Sequence, residues 1–123
     1  MMLKKQFLVG LLVAFVAVIP VAAVEFPVVT YATGNSFDEV KEQAQLINGT
    51  HNWVLKSIST NELTIEQHKS DKVYFIVTVA FKEGDGINSL IATHLEDKGF
   101  VVGKKPHRNY ARYVQKLLSF LSR

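Results

Sequence analysis

Cysteine does not occur in this chain of 123 residues. Its absence excludes disulfides, thiol nucleophiles, thiolate metal sites and a lipid-modified cysteine at a processing point. Whatever fold forms is held by packing alone. Catalytic signatures are missing as well: there is no G-x-S-x-G nucleophile elbow, no H-E-x-x-H pair, no phosphate-binding loop and no calcium loop. Gly84-Asp85-Gly86 lacks the third glycine of a dinucleotide fingerprint and reads as a hairpin turn. The histidines His51, His68, His94 and His107 show no i,i+4 spacing, so no metal and no cofactor is expected. One further absence is local. Residues 98–123 contain no acid, because all 11 acidic residues lie earlier, yet they carry Lys98, Lys104, Lys105, Arg108, Arg112, Lys116 and Arg123.

Only one long hydrophobic run is present. Residues 7–19 read FLVGLLVAFVAVI after the basic Lys4-Lys5 start, and Pro20 with Val21-Ala22-Ala23 closes the run. Basic start, apolar middle and small residues at the end are the layout of a secretory signal peptide. Cleavage is expected between Ala23 and Val24, leaving 24–123 as a single domain with no membrane-spanning segment, periplasmic or secreted. The alternative is an uncleaved anchor, since a spanning helix needs roughly 20 apolar residues and this stretch is close to that length.

Within the mature part, residues 25–32 (EFPVVTYA) are β-branched and aromatic and predict a first strand, with Pro27 near its start. Gly34-Asn35 marks a turn. Ser36 with Glu39 three residues on forms a capping box, and Phe37, Val40, Ala44 and Ile47 follow at helical spacing until Asn48-Gly49. The carboxylate pair Asp38-Glu39 then needs no catalytic explanation, because a helix start favours negative charge. Strands are predicted over 53–59, 62–68, 73–81 and 87–95. In the second of these Leu63 and Ile65 point inward while Thr64, Glu66 and His68 point outward. Residues 73–81 (VYFIVTVAF) are apolar on both faces, which predicts a central strand. Pro106 is expected to open a final helix, with Tyr110, Tyr113, Val114, Leu117 and Leu121 on one stripe. A second stripe holds Arg108, Arg112, Lys116, Ser119 and Arg123. The expected fold class is α+β, an antiparallel meander of about five strands with two helices on one face, in the order β-α-β-β-β-β-α.

The closing segment reads His107-Arg108-Asn109-Tyr110-Ala111-Arg112-Tyr113-Val114-Gln115-Lys116-Leu117. Together with the tryptophan-led strand at Trp53, it resembles a family of small exported bacterial proteins and lipoproteins without assigned activity. Their segment has the form H-x-N-Y-x-x-W-V-x-x-L, and Tyr113 stands here where the family more often has tryptophan. The resemblance implies an envelope location and a small α+β fold, and it singles out His107, Asn109 and Tyr110. The residues taken by themselves have a plainer reading, in which His107 and Asn109 cap the helix and Tyr110 fills the core.

Function is expected to be non-enzymatic: binding or support in the cell envelope. The candidate contact residues are His107, Arg108, Asn109, Tyr110, Arg112 and Lys116, with Trp53, which is otherwise a core residue. The expected partner is an anionic envelope component or another envelope protein; an exported protein is expected to meet no nucleic acid, and oligomeric state is left open. Two alternatives stand beside this. One is a small-ligand binder with a pocket between sheet and helices near Trp53 and Tyr110. The other is a hydrolase built on His68, Glu66 and His94.

Overall fold

In the computed structural model the described residues are 26–69, 72–98, 101–102, 105–106 and 108–123. The leader expected over 1–23, its cleavage point and His107 lie outside them. Element order is β1 (Val29–Thr33), α1 (Phe37–Ile47), β2 (Trp53–Ile58), β3 (Glu62–Lys69), β4 (Lys72–Lys82), β5 (Asn88–Asp97), the two-residue strands β6 (Val101–Val102) and β7 (Lys105–Pro106), and α2 (Tyr110–Leu121). The five long strands form one antiparallel sheet in the order β1-β5-β4-β3-β2. The α+β meander expected from the pattern is therefore the observed fold. Among the described residues no helix is long and apolar enough to cross a membrane.

β1 and β2 occupy opposite edges of the sheet, so the β1–α1–β2 connection must cross from one edge to the other. α1 makes that crossing. It is nucleated as the capping box predicts: Ser36 N donates to Glu39 Oε1 at 2.8 Å, and Glu39 N donates to Ser36 Oγ at 3.2 Å. Two of the donors that every helix start leaves unpaired are thereby satisfied. Val40, Ala44 and Ile47 face the sheet and are buried. The helix ends where Gly49 takes φ +85°, a left-handed conformation that glycine reaches without steric cost.

β4 is central, as its two apolar faces predict. Phe75, Val77, Val79 and Phe81 point to the helices and are buried, and Ile76 is buried on the other face. Tyr110, Val114, Leu117, Leu118 and Leu121 close the core from α2. Leu118 joins this buried stripe, whereas Tyr113 is only half-buried.

Two boundaries differ from expectation. The first strand begins at Val29, two residues after Pro27, which supplies no N–H for a ladder. Pro106 does not open the last helix. It lies in β7, where Lys105–Pro106 pairs with Val101–Val102, and α2 starts at Tyr110. A proline at the end of a two-residue edge strand need not donate to a partner, and Lys105 before it pairs with Val102 in the ladder rather than in a helical turn.

Candidate functional site

α2 carries its cations on one side. Arg108 precedes the helix, Arg112 and Lys116 follow at steps of four, and Arg123 lies just past its end; all four are exposed. Among the described residues, none of them makes an ion pair. The salt bridges present involve Lys41, Lys56, His68 and Lys98 instead. Among the described residues, the acids of the earlier part of the chain thus do not neutralise this stripe by contact.

The lower half of the stripe forms one wall of a groove of about 550 Å³. Tyr113, Lys116, Ser119, Phe120 and Arg123 of the C-terminal segment face His51, Asn52, Trp53 and Gln67, with Ile47 at its base. Local structure explains the second wall. Trp53 opens β2 and pairs across the strands with Gln67 of β3, so both side chains point to the helix side at the same end of the sheet. The turn before Trp53 is held by Gly49 N donating to Trp53 O (2.7 Å), Trp53 N to Thr50 O (3.0 Å) and His68 N to Asn52 O (2.7 Å). These bonds fix His51 and Asn52 in left-handed conformations, φ 54° and 67°. Asn48 Oδ1 accepts from Leu55 N at 2.9 Å, which occupies the asparagine of the Asn48-Gly49-Thr50 turn.

The expected site residues divide. Arg108, Arg112 and Lys116 lie on the exposed stripe, and Lys116 also lines the groove together with Trp53. Trp53 is 4% exposed and meets Phe75 edge-on at 5.9 Å, so it is a core residue whose edge reaches the groove. Tyr110 is 1% exposed and lines neither this groove nor the smaller one beside it. Asn109 occupies the N-cap position of α2, but its side chain makes no capping bond; it lines the smaller groove with Tyr74 and Tyr113. The sequence reading missed His51, Asn52, Gln67 and Phe120. For Gln67 a signal existed, because strict alternation after Leu63 and Ile65 puts an amide at an inward position.

The histidine–carboxylate arrangement expected for a hydrolase does not assemble. Glu66 Oε1 and His68 Nε2 are 2.8 Å apart on the sheet face away from the helices, with Lys56 Nζ 3.6 Å from the same carboxylate. His94 is on the helix side: it stacks on Phe26 with ring centroids 3.5 Å apart and meets Tyr110 edge-on at 5.9 Å. Strand alternation separates the two histidines by the thickness of the sheet. Among the described residues no group of three or more metal-ligating side chains occurs. The chain matches no family model and no curated protein.

His94 also makes folding pH-dependent. Its Nε2 is buried without a hydrogen-bond partner among the described residues, and burial lowers its pKa from the ordinary histidine value of 6.5, with Asp97 opposing in part. The folded state therefore holds His94 neutral at a pH where the unfolded chain binds a proton. The corresponding stability is fully present above about pH 6.5 and falls as pH drops from there toward the lowered folded-state pKa. Thermal unfolding across that range is expected to show the melting temperature falling on acidification. His94→Phe, which retains the ring stack, is expected to flatten that step; an unchanged profile in the variant would contradict the assignment.

Proposed function

We propose that this protein is a non-enzymatic binding protein of the cell envelope, which docks an anionic envelope component on the basic face of its C-terminal helix. The observation that carries this reading is the row of Arg108, Arg112, Lys116 and Arg123, all exposed and none in contact with a carboxylate among the described residues. Charges left unpaired on one helix face are available to an external anion. The same helix must keep Val114, Leu117, Leu118 and Leu121 on the sheet, so docking is peripheral and the helix does not insert. The export layout of residues 1–23 supports the envelope setting of this reading.

Each basic group near an anionic surface contributes about 1 kcal/mol, and salt weakens the attraction as the screening length shrinks from about 10 Å at 0.1 M to about 3 Å at 1 M. The protein is expected to co-sediment with phosphatidylglycerol vesicles at low salt, to be released at high salt, and to ignore phosphatidylcholine vesicles. Arg108→Glu with Arg112→Glu and Lys116→Glu is expected to abolish the interaction at low salt. Absence of binding at every salt concentration would remove the proposal.

A further inference from the structure

The groove between α2 and the Trp53 turn has the chemistry of a selective site, which a merely basic surface would not need. We infer that it binds a phosphorylated sugar. The inference rests on the anionic reading above for the sign of the ligand's charge, and goes beyond it by naming a seat and a ligand class.

Size is the first argument: about 550 Å³ lies within the range of roughly 300–1,000 Å³ typical of small-molecule sites. Charge is the second. Lys116 and Arg123 line the groove and no lining residue is acidic, so an anionic group has two cations to meet. An arginine fork and a lysine point charge suit a phosphate. The third argument is an amide with nothing to bond. Gln67 is 7% exposed, and no group among the described residues hydrogen-bonds its side chain. Its amide opens into the groove and makes no protein hydrogen bond among the described residues, so its NH2 donors and its carbonyl acceptor are available to a ligand hydroxyl. Asn52 brings a second amide and Ser119 a hydroxyl, while half-buried Tyr113 provides aromatic surface for the C–H face of a sugar ring and Trp53 contributes only its edge.

Backbone strain supports the same place. His51 and Asn52 are consecutive non-glycine residues with positive φ, a conformation costing of order 1–3 kcal/mol per residue that persists only where surrounding bonds impose it. Three backbone hydrogen bonds impose it here, and the result is two polar side chains held at the rim opposite Lys116. A purely apolar ligand would leave Gln67, Asn52 and both cations desolvated without partners.

The test is a titration of the purified protein, followed by the indole N–H resonance of Trp53 and the side-chain amide resonances of Gln67 and Asn52. The probes are glucose 1-phosphate, glucose and inorganic phosphate, with phosphatidylglycerol vesicles as a parallel arm. Glucose 1-phosphate is expected to move these resonances and to saturate at least about tenfold earlier than either fragment, the size of one good charge-assisted hydrogen bond. Lys116→Gln, at an exposed position, is expected to erase that advantage while leaving the weak response to glucose. Lys82→Gln at the far end of β4 is expected to change nothing. Equal saturation by inorganic phosphate would overturn the sugar assignment, as would shifts confined to residues outside the groove. If glucose 1-phosphate fails while vesicle docking persists, the groove inference falls and the basic-face reading stands. If both fail, the reading beneath it falls too.

Discussion

Phe75→Ala is expected to cost about 3–5 kcal/mol, the usual range for emptying a buried aromatic site. Phe75 has no solvent exposure and sits on the central strand. Its ring meets Trp53 of β2 at 5.9 Å and Tyr110 of α2 at 5.0 Å. It is thus the point where the edge strand that begins the groove and the helix that covers it share one neighbour. Helix and strand cannot both collapse into the vacated space without breaking the ladder, so most of the cavity remains. A domain of this size is stable by about 5–15 kcal/mol, so this one substitution removes a large part of the total. Urea unfolding followed by far-ultraviolet circular dichroism is expected to show a lower midpoint with an unchanged slope. A loss under about 1 kcal/mol would mean that the three rings do not form a common core.

The second large effect is expected from a residue that reads as an ordinary turn asparagine. Asn35 Nδ2 donates to Leu121 O and to Arg123 O, both at 3.1 Å. Its own carbonyl accepts from Asn88 Nδ2 at 2.9 Å, and Asn88 Oδ1 accepts from Gly84 N at 3.1 Å. One side chain thereby ties the last residue of α2 and the residue two beyond it to the turn that leads into α1, and a second ties that turn to the one before β5. Helix C-termini leave carbonyls without intrahelical partners, and each hydrogen bond lost here costs about 0.5–1.5 kcal/mol. Asn35→Ala removes two, for an expected loss of about 1–3 kcal/mol. Amide hydrogen exchange is expected to accelerate in the last turn of α2 and far less in β4. Uniform acceleration across the sheet would contradict a local tether. Arg123 is a groove residue, so this tether also places one of the two groove cations.

Much of the architecture is readable from pattern. The capping box at Ser36 and Glu39, the alternation of residues 62–68 and the doubly apolar strand 73–81 depend on local sequence, and the structure contains each. Asn35 is a different case. Nothing in Gly34-Asn35 reveals that the side chain will reach carbonyls at Leu121 and Arg123, more than eighty positions away. Glu66 departs in another manner. Its outward position is as alternation requires, yet it is 7% exposed, because His68 and Lys56 close over it from their own strands. Pro106 fails as a helix signal for a related reason. Its ring is compatible with a helical first turn and with an edge strand alike, and pairing with Val101 decides between them.

The candidate site is legible in part. The basic stripe follows from spacing, since residues three and four apart share a helix face. The groove does not, because its walls come from β2, β3, the turn at His51 and the C-terminal segment.

Periodicity and capping chemistry alone determined the fold class, the order of the five long strands and two helices, the central strand and the charged face of the last helix, because these depend on neighbours within about one helical turn or one strand. Only the tertiary structure decided which face of the sheet holds His94, that Gln67 opens into a groove, and that the cations of α2 find no carboxylate among the described residues. Those outcomes depend on register and on contacts between distant segments, and a shift of one residue along a strand reverses every such side chain.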